Sequence, residues 1–390
     1  GMPFHLAPPV TFTEILQRVW WRLDRALDEA SIRASARSAG LEALLAGTTT
    51  IVDHHASPNA IDGSLDVVAD ALADLGLRSV LCYEVSDRDG PERAAAGIAE
   101  NARFLRRPRR LARGMMGAHA SFTLSGDTLE HLAVEARDAG AGVHIHVAEG
   151  EADQRDAVAR DGVRVVERLL AAGVLTDRAL LAHCIHVDAS EIAAITEAGA
   201  TVVCNPRSNM NNGVGHSPFN HLGGRVALGT DGIGGDMFAE SQAGFFRARE
   251  ADVATPGSWP LAVLTESAGL VGRVFDEPLL GRIEPGAPAD LVVLEYPSPT
   301  PLTAGTLAGH WTFGLSAAAV RDVYVAGELV VAGRRSTRVE EAELEEASRR
   351  EAERLWARLE SVPAHDFEPR GSGGTSERSE RGPSGPAAGQ

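Results

Sequence analysis

The chain has 390 residues, 44% of them apolar, and a formal net charge of −17, so it can bury a core larger than one average domain and lacks the cationic surface on which nucleic-acid affinity rests. No stretch approaches the ~20 consecutive apolar residues of a membrane span, and Gly1 to Val10 shows no charged-then-apolar leader pattern, so a cytoplasmic protein with no nucleic-acid or membrane partner is expected. All 37 basic residues are Arg, which excludes Schiff-base chemistry, a Walker lysine and a carbamylated-lysine metal bridge.

In chain order, an irregular start with prolines leads into a helix predicted from about Thr13 to Gly47. Short runs rich in Val, Ile and Leu then alternate with longer helical stretches, the rhythm of a parallel α/β sheet. The runs are Thr49 to Asp53, Arg78 to Glu84, Leu111 to Gly117, Gly142 to Val147, Ala179 to His183, Ala200 to Asn205 and Arg225 to Gly229. Between them, Ser64 to Gly76, Asp127 to Gly140, Asp153 to Gly173, Asp188 to Gly199 and Asp236 to Asp252 read as helices, often opened by Asp or Ser and closed by Gly. Seven strands are one short of a closed (β/α)8 barrel, and the deficit lies at the front. Cys82, Cys184 and Cys204 each sit in or beside a strand run and are expected as buried thiols rather than disulfides.

Residues 1–281 therefore form the predicted barrel. The segment 282–335 has the texture of a small β unit, with strands around Leu291 and across Val320 to Val331. A charged helix is predicted within 336–362, and 363–390, poor in apolar residues, is expected to be disordered.

Chemistry gathers where strands end, the face of a barrel on which catalytic loops sit. His146 closes one strand with Glu149 just beyond it, His183 closes the next, Asn205 follows the third, and Asp231 follows the fourth. Period-two alternation puts His144 and His146 on one face with His146 nearer the C-terminal end, which makes His146 the better metal ligand. Imidazole with the carboxylate of Asp231 suits zinc, with iron the alternative, and Glu149 is placed to move a proton between an activated water and a leaving group.

The segments GTTTIVDHHASP, GAHASFTLS, VHIHVAEGE, LLAHCIHVD, NPRSNMNNGVG and ALGTDGIGGD together resemble the strand-end motifs of the amidohydrolase superfamily, in its cytosine deaminase-like and triazine hydrolase branch. The paired His54-His55 and the NPRSNMNN string are most similar to aminohydrolases associated with selenium metabolism. The resemblance implies a metal-dependent hydrolase barrel with a partial β-sandwich from the C-terminal segment. It implies one divalent metal held by His146 and Asp231, with His183 polarising water or substrate or ligating as well, and Glu149 as proton shuttle. His119 and Asn205 would line the pocket, Arg207 and Asn209 would contact substrate, His186 would be structural, and at most one of His54 and His55 would face inward. The implied reaction is hydrolytic deamination of a small amino-substituted heterocycle. A dechlorinating enzyme using the same water, or a barrel without catalysis, are the alternatives, and a homodimer is the usual state of such proteins.

One feature departs from that pattern. The family opens its barrel with a strand ending His-x-His, and nothing before Phe12 matches it; His5 stands alone. An N-terminally truncated chain that holds metal weakly and turns over little is the expectation.

Overall fold

A computed structural model of the chain describes residues 9–218 and 225–371. Its centre is a wall of parallel strands, β1 (Thr50–His55), β2 (Arg78–Tyr83), β3 (Ala112–Gly114), β4 (Met116–Ala120), β5 (Val143–Val147), β6 (Leu180–His183), β7 (Thr201–Cys204) and β8 (Arg225–Leu228). Pairing runs β1-β2-β3 and β4-β5-β6-β7-β8. The two sheets continue one another, because β3 and β4 are pieces of a single stave: Met115 N–H donates to Leu81 O and a parallel bridge joins Val85 to Ala118. Glycine permits this approach at Gly117, where a Cβ would lie 2.2 Å from Tyr83 O. Seven staves thus make an α/β barrel wall in which, among the described residues, no strand pairs with the outer edges of β1 and β8.

Strand side chains on the helix-facing side, Leu81, Ile145, Leu181 and Val202, join Leu65, Leu72 and Leu129 of the surrounding helices in one buried cluster. That layer positions the strand ends, and its burial is the main stabilising term. Two predicted helices are interrupted for local reasons. The N-terminal one passes through Phe12–Ile15, a wider turn at Leu16–Trp20 and Trp21–Ala26, then stops at an extended Leu27. It restarts as Glu29–Leu45, because Asp28 and Ser31 form a reciprocal capping box. The stretch 153–173 divides into Glu151–Asp161 and Val165–Ala171 around Gly162, whose φ of +74° ends the first piece.

The following segment folds as an antiparallel sheet, β9 (Leu291–Leu294), β10 (Val320–Val325), β11 (Glu328–Ala332) and β12 (Arg335–Ser336), ordered β12-β11-β10-β9. It is not wholly β: the helix Leu307–Phe313 intervenes and stacks Trp311 on Phe238, ring centroids 4.6 Å apart. A buried, two-pronged ion pair, Arg78 to Asp290 at 2.8 and 3.0 Å, ties this unit to β2. The last helix, Glu341–Ser361, places Arg354 and Arg358 on the carboxylate of Asp28.

The expectation of disorder from residue 363 is corrected over 363–371. His365 is 4% exposed and Phe367 packs beside it, their rings 5.3 and 5.8 Å from Trp21, while His365 N–H donates to Gln17 O. Two aromatic rings suffice to dock the segment, and a composition average conceals them. Residues 372–390, and Gly1 to Pro8 with His5, lie outside the described residues. No helix among those described is long and apolar enough to cross a membrane.

Candidate active site

At the C-terminal ends of β5, β6 and β8 the backbone leaves the extended region abruptly. Ala148, His183 and Asp231 have φ of +47°, +71° and +50°, left-handed values that non-glycine residues adopt at a cost of about 1–3 kcal/mol each. These kinks turn the side chains inward. Ligand atoms of His146, His183 and Asp231 all lie within 4.8 Å of one another.

Hydrogen bonds fix the imidazole orientations. His146 Nδ1 donates to His119 O at 2.8 Å and His183 Nδ1 donates to Asn209 Oδ1 at 2.8 Å, so each presents Nε2 to the shared space. His183 Nε2 is buried without a hydrogen-bond partner, 3.5 Å from Glu149 Oε2 and 4.0 Å from Asp231 Oδ2. Two imidazole nitrogens and a carboxylate converging on such an orphaned atom are a donor set that fits a divalent cation with room for water. Ser208 Oγ donates to Asp231 Oδ2 at 2.5 Å, and Asn212 Nδ2 to Glu149 Oε1 at 3.3 Å.

The electrostatics separate the carboxylates. Burial pushes Glu149 up to about 7, whereas for Asp231 the opposing burial is outweighed by His183 and His146, which hold it below its ordinary value. Burial, with His54 and His183 nearby, lowers His146 to about 4, leaving it neutral. His183 is held above its ordinary value: burial acts against its cation, but Glu149 and Asp231 prevail. Asp153, buried and pushed up to about 7, accepts from Ala148 N (2.9 Å) and Phe122 N (3.0 Å) and so anchors the turn that carries Glu149.

A cavity of about 1120 Å³ opens over this cluster, lined among others by His119, Asn205 and Trp20. The two expected substrate contacts, Arg207 and Asn209, both engage protein partners. Arg207 pairs with the fully buried Glu240 and donates to Gly234 O at 2.6 Å, so its guanidinium is already committed. Asn209 is buried beneath His183 and positions it. His54 turns toward the cluster, its ring 4.7 Å from His146, while His55 turns to Ser57 and Tyr83, as alternation along β1 requires. His186 bonds Val214 O away from the centre.

Sequence reasoning did not single out the opposite wall. There Glu84 sits immediately after β2, 3.4 Å from His54 Nδ1, and Arg88 reaches Glu84 at 2.6 Å and Asp24 at 3.3 Å. Its place at a strand end was the available signal, shared with His146 and His183.

A sequence profile of the Amidohydrolase family matches residues 4–330. The chain belongs to the amidohydrolase family. A 5'-deoxyadenosine deaminase of Methanopyrus kandleri is 31% identical over 349 residues, covering 86% of this amidohydrolase and 78% of that protein. A 5-methylthioadenosine/S-adenosylhomocysteine deaminase of Desulforudis audaxviator is 30% identical, covering 91% and 83%. Among solved structures, a zinc-bound adenosine deaminase from Xanthomonas campestris shares the fold with a TM-score of 0.78 at 23% identity, covering 90% and 81% of the two chains. An atrazine chlorohydrolase from Arthrobacter aurescens does so with a TM-score of 0.73 at 22% identity, covering 90% and 82%. As a family member this amidohydrolase is a hydrolase of non-peptide C–N bonds with a divalent metal centre.

Proposed function

We propose that the chain hydrolytically deaminates an amino-substituted, purine-like heterocycle with zinc as its metal. The observation that carries this reading is the convergence of His146, His183 and Asp231 beside Glu149, a buried carboxyl poised near 7. The names of the relatives, deaminases of adenosine-type nucleosides, support it.

His146 Nε2 and Asp231, with His183 Nε2 close by, would hold the cation. When bound, a divalent metal makes a water nucleophilic near neutral pH. Asp231, steadied by Ser208, orients that water toward the ring carbon bearing the amine. Glu149 accepts the water proton and returns it to the departing nitrogen, a task suited to a group that titrates near the working pH. The carbon gains oxygen and loses nitrogen, leaving an oxo-heterocycle and ammonia. Asn209 keeps His183 in the tautomer this geometry needs, and Asn212 keeps Glu149 from swinging out.

The test is ammonia release from adenosine, 5'-deoxyadenosine and free aminopurines by the zinc-supplemented chain. Release that falls at least ~10²-fold in Glu149→Gln supports the reading. Equal release by both proteins contradicts it.

A further inference from the structure

Glu84 has no part in the chemistry above, yet it faces the same cavity and is nine-tenths buried. Ligand atoms of His54, Glu84 and His146 lie within 4.8 Å of one another, and His146 is shared with the His183 and Asp231 cluster. Glu84 and Asp231 are therefore linked through His146, each carboxylate lying within 4.8 Å of one of its ring nitrogens.

Its surroundings are arranged to hold an anion in place. Arg88, fully enclosed and stacked over Trp21 at 5.2 Å, lies 2.6 Å from Oε1, and His54 Nδ1 lies 3.4 Å from Oε2. His54 is itself fixed, because its Nε2 donates to Ala118 O at 3.0 Å. Burial works against the ionised carboxylate, but Arg88, His119 and His54 outweigh it and keep Glu84 well below its ordinary value. Oε1 faces Arg88 and is closed off from the cavity, which leaves Oε2, 3.4 Å from His54 Nδ1, as the oxygen with spare acceptor capacity toward the pocket. A buried anionic acceptor with spare capacity, opening into a pocket, is satisfied by an incoming donor and left uncompensated by a ligand without one.

Resting on the deaminase reading, we propose that Glu84 determines specificity at this site. It accepts a hydrogen bond from a second N–H donor of the heterocycle, so that the substrate is a diamino- or amino-oxo-heterocycle rather than a simple adenine. The six-membered ring of adenine has one exocyclic amine and otherwise only ring lone pairs, which a carboxylate repels. A 2-amino group or a lactam N–H beside the reacting carbon meets Glu84 directly. Arg88 and His54 are positioning residues that hold it there.

The probes are 2,6-diaminopurine and adenine, which differ by one amino group. Their binding to the zinc-loaded Glu149→Gln protein, in which turnover is blocked, is measured by calorimetry. The diamine is expected to bind at least ~10-fold more tightly, the scale of a hydrogen bond to a charged group. Adding Glu84→Gln, whose amide oxygen still accepts but carries no charge, should reduce the preference at least ~3-fold, the difference between a hydrogen bond to a charged and to a neutral acceptor. If that variant does not fold, Glu84→Asp decides, since it keeps the charge but draws the oxygens back; a reduced preference supports the assignment and an unchanged one overturns it. Equal affinity for both purines, a preference undiminished in E84Q, or a second zinc equivalent lost in E84Q overturns it too. The diamine preference without ammonia release from the native chain would leave Glu84 assigned and refute the deaminase reading; ammonia release without the preference would do the reverse.

Discussion

Replacing Glu149 by Gln should make the protein less active and, above neutral pH, more stable. Glu149 titrates near 7 in the folded chain against an ordinary 4.5. Between those values the folded state binds a proton that the unfolded state has lost, so stability is greatest below about 4.5, declines as pH rises, and levels off above about 7. The full difference amounts to roughly 3 kcal/mol. Gln keeps the volume and can still accept from Asn212 through its amide oxygen, but has nothing to ionise. Asp153 titrates in the same window, so the quantity to compare is native chain against variant. Urea unfolding of the metal-free proteins at pH 5 and pH 8 should show near-equal stability at the lower pH and an advantage for the variant approaching 3 kcal/mol, roughly, at the higher one. Turnover should fall by at least ~10²-fold. Parallel stability curves for the two proteins would refute the argument that burial raises this carboxyl.

Five further outcomes follow from the packing. Asn209→Ala should weaken metal binding or turnover by about 10- to 100-fold by freeing His183, whereas Arg207→Ala should leave KM unchanged and lower stability, as steady-state kinetics and melting curves will show. Asp290→Ala strands the buried Arg78 charge and should cost about 3–5 kcal/mol in urea unfolding, most of it recovered when both partners become apolar. Ending the chain after Val362 uncovers Trp21 and should lower Tm by a few degrees relative to ending it after Gly371, because His365 and Phe367 no longer cover that ring. Gly142→Ala puts a Cβ 1.8 Å from Arg178 O and should prevent stable folding, as judged by circular dichroism of the purified protein.

What was legible in the sequence was what is local. His146, His183 and Asp231 follow apolar runs directly, so their place at strand ends can be read from alternation alone, and Glu149 is fixed to them by three intervening peptide units. The β unit after residue 282 announced itself by its change of texture. Contacts set by distant parts of the chain were not legible. Arg207 sits in the short helix Pro206–Asn212 after β7, where a substrate contact was expected, yet Glu240, on the helix that follows β8, claims its guanidinium. Glu84 shares the strand-end signal but gains meaning only once the turn after β2 brings Arg88 back and the N-terminal helices bring Trp21 and Asp24 against it. The break at Asp28 was visible as a capping pair only after helical periodicity stopped hiding it, and the docking of His365 depends on a Trp more than three hundred residues away.

On the proposed reading, His146, His183 and Asp231 form one metal centre served by Glu149. Zinc content and ammonia release, measured side by side on the native chain, His146→Ala, Asp231→Ala and Glu149→Gln, test it most directly. The zinc-supplemented native chain is expected to take up zinc weakly and to release ammonia slowly, the first two variants to lose both, and Glu149→Gln to keep its zinc uptake while losing ammonia release. Zinc retained after loss of His146 and Asp231, or turnover undiminished in Glu149→Gln, would contradict it.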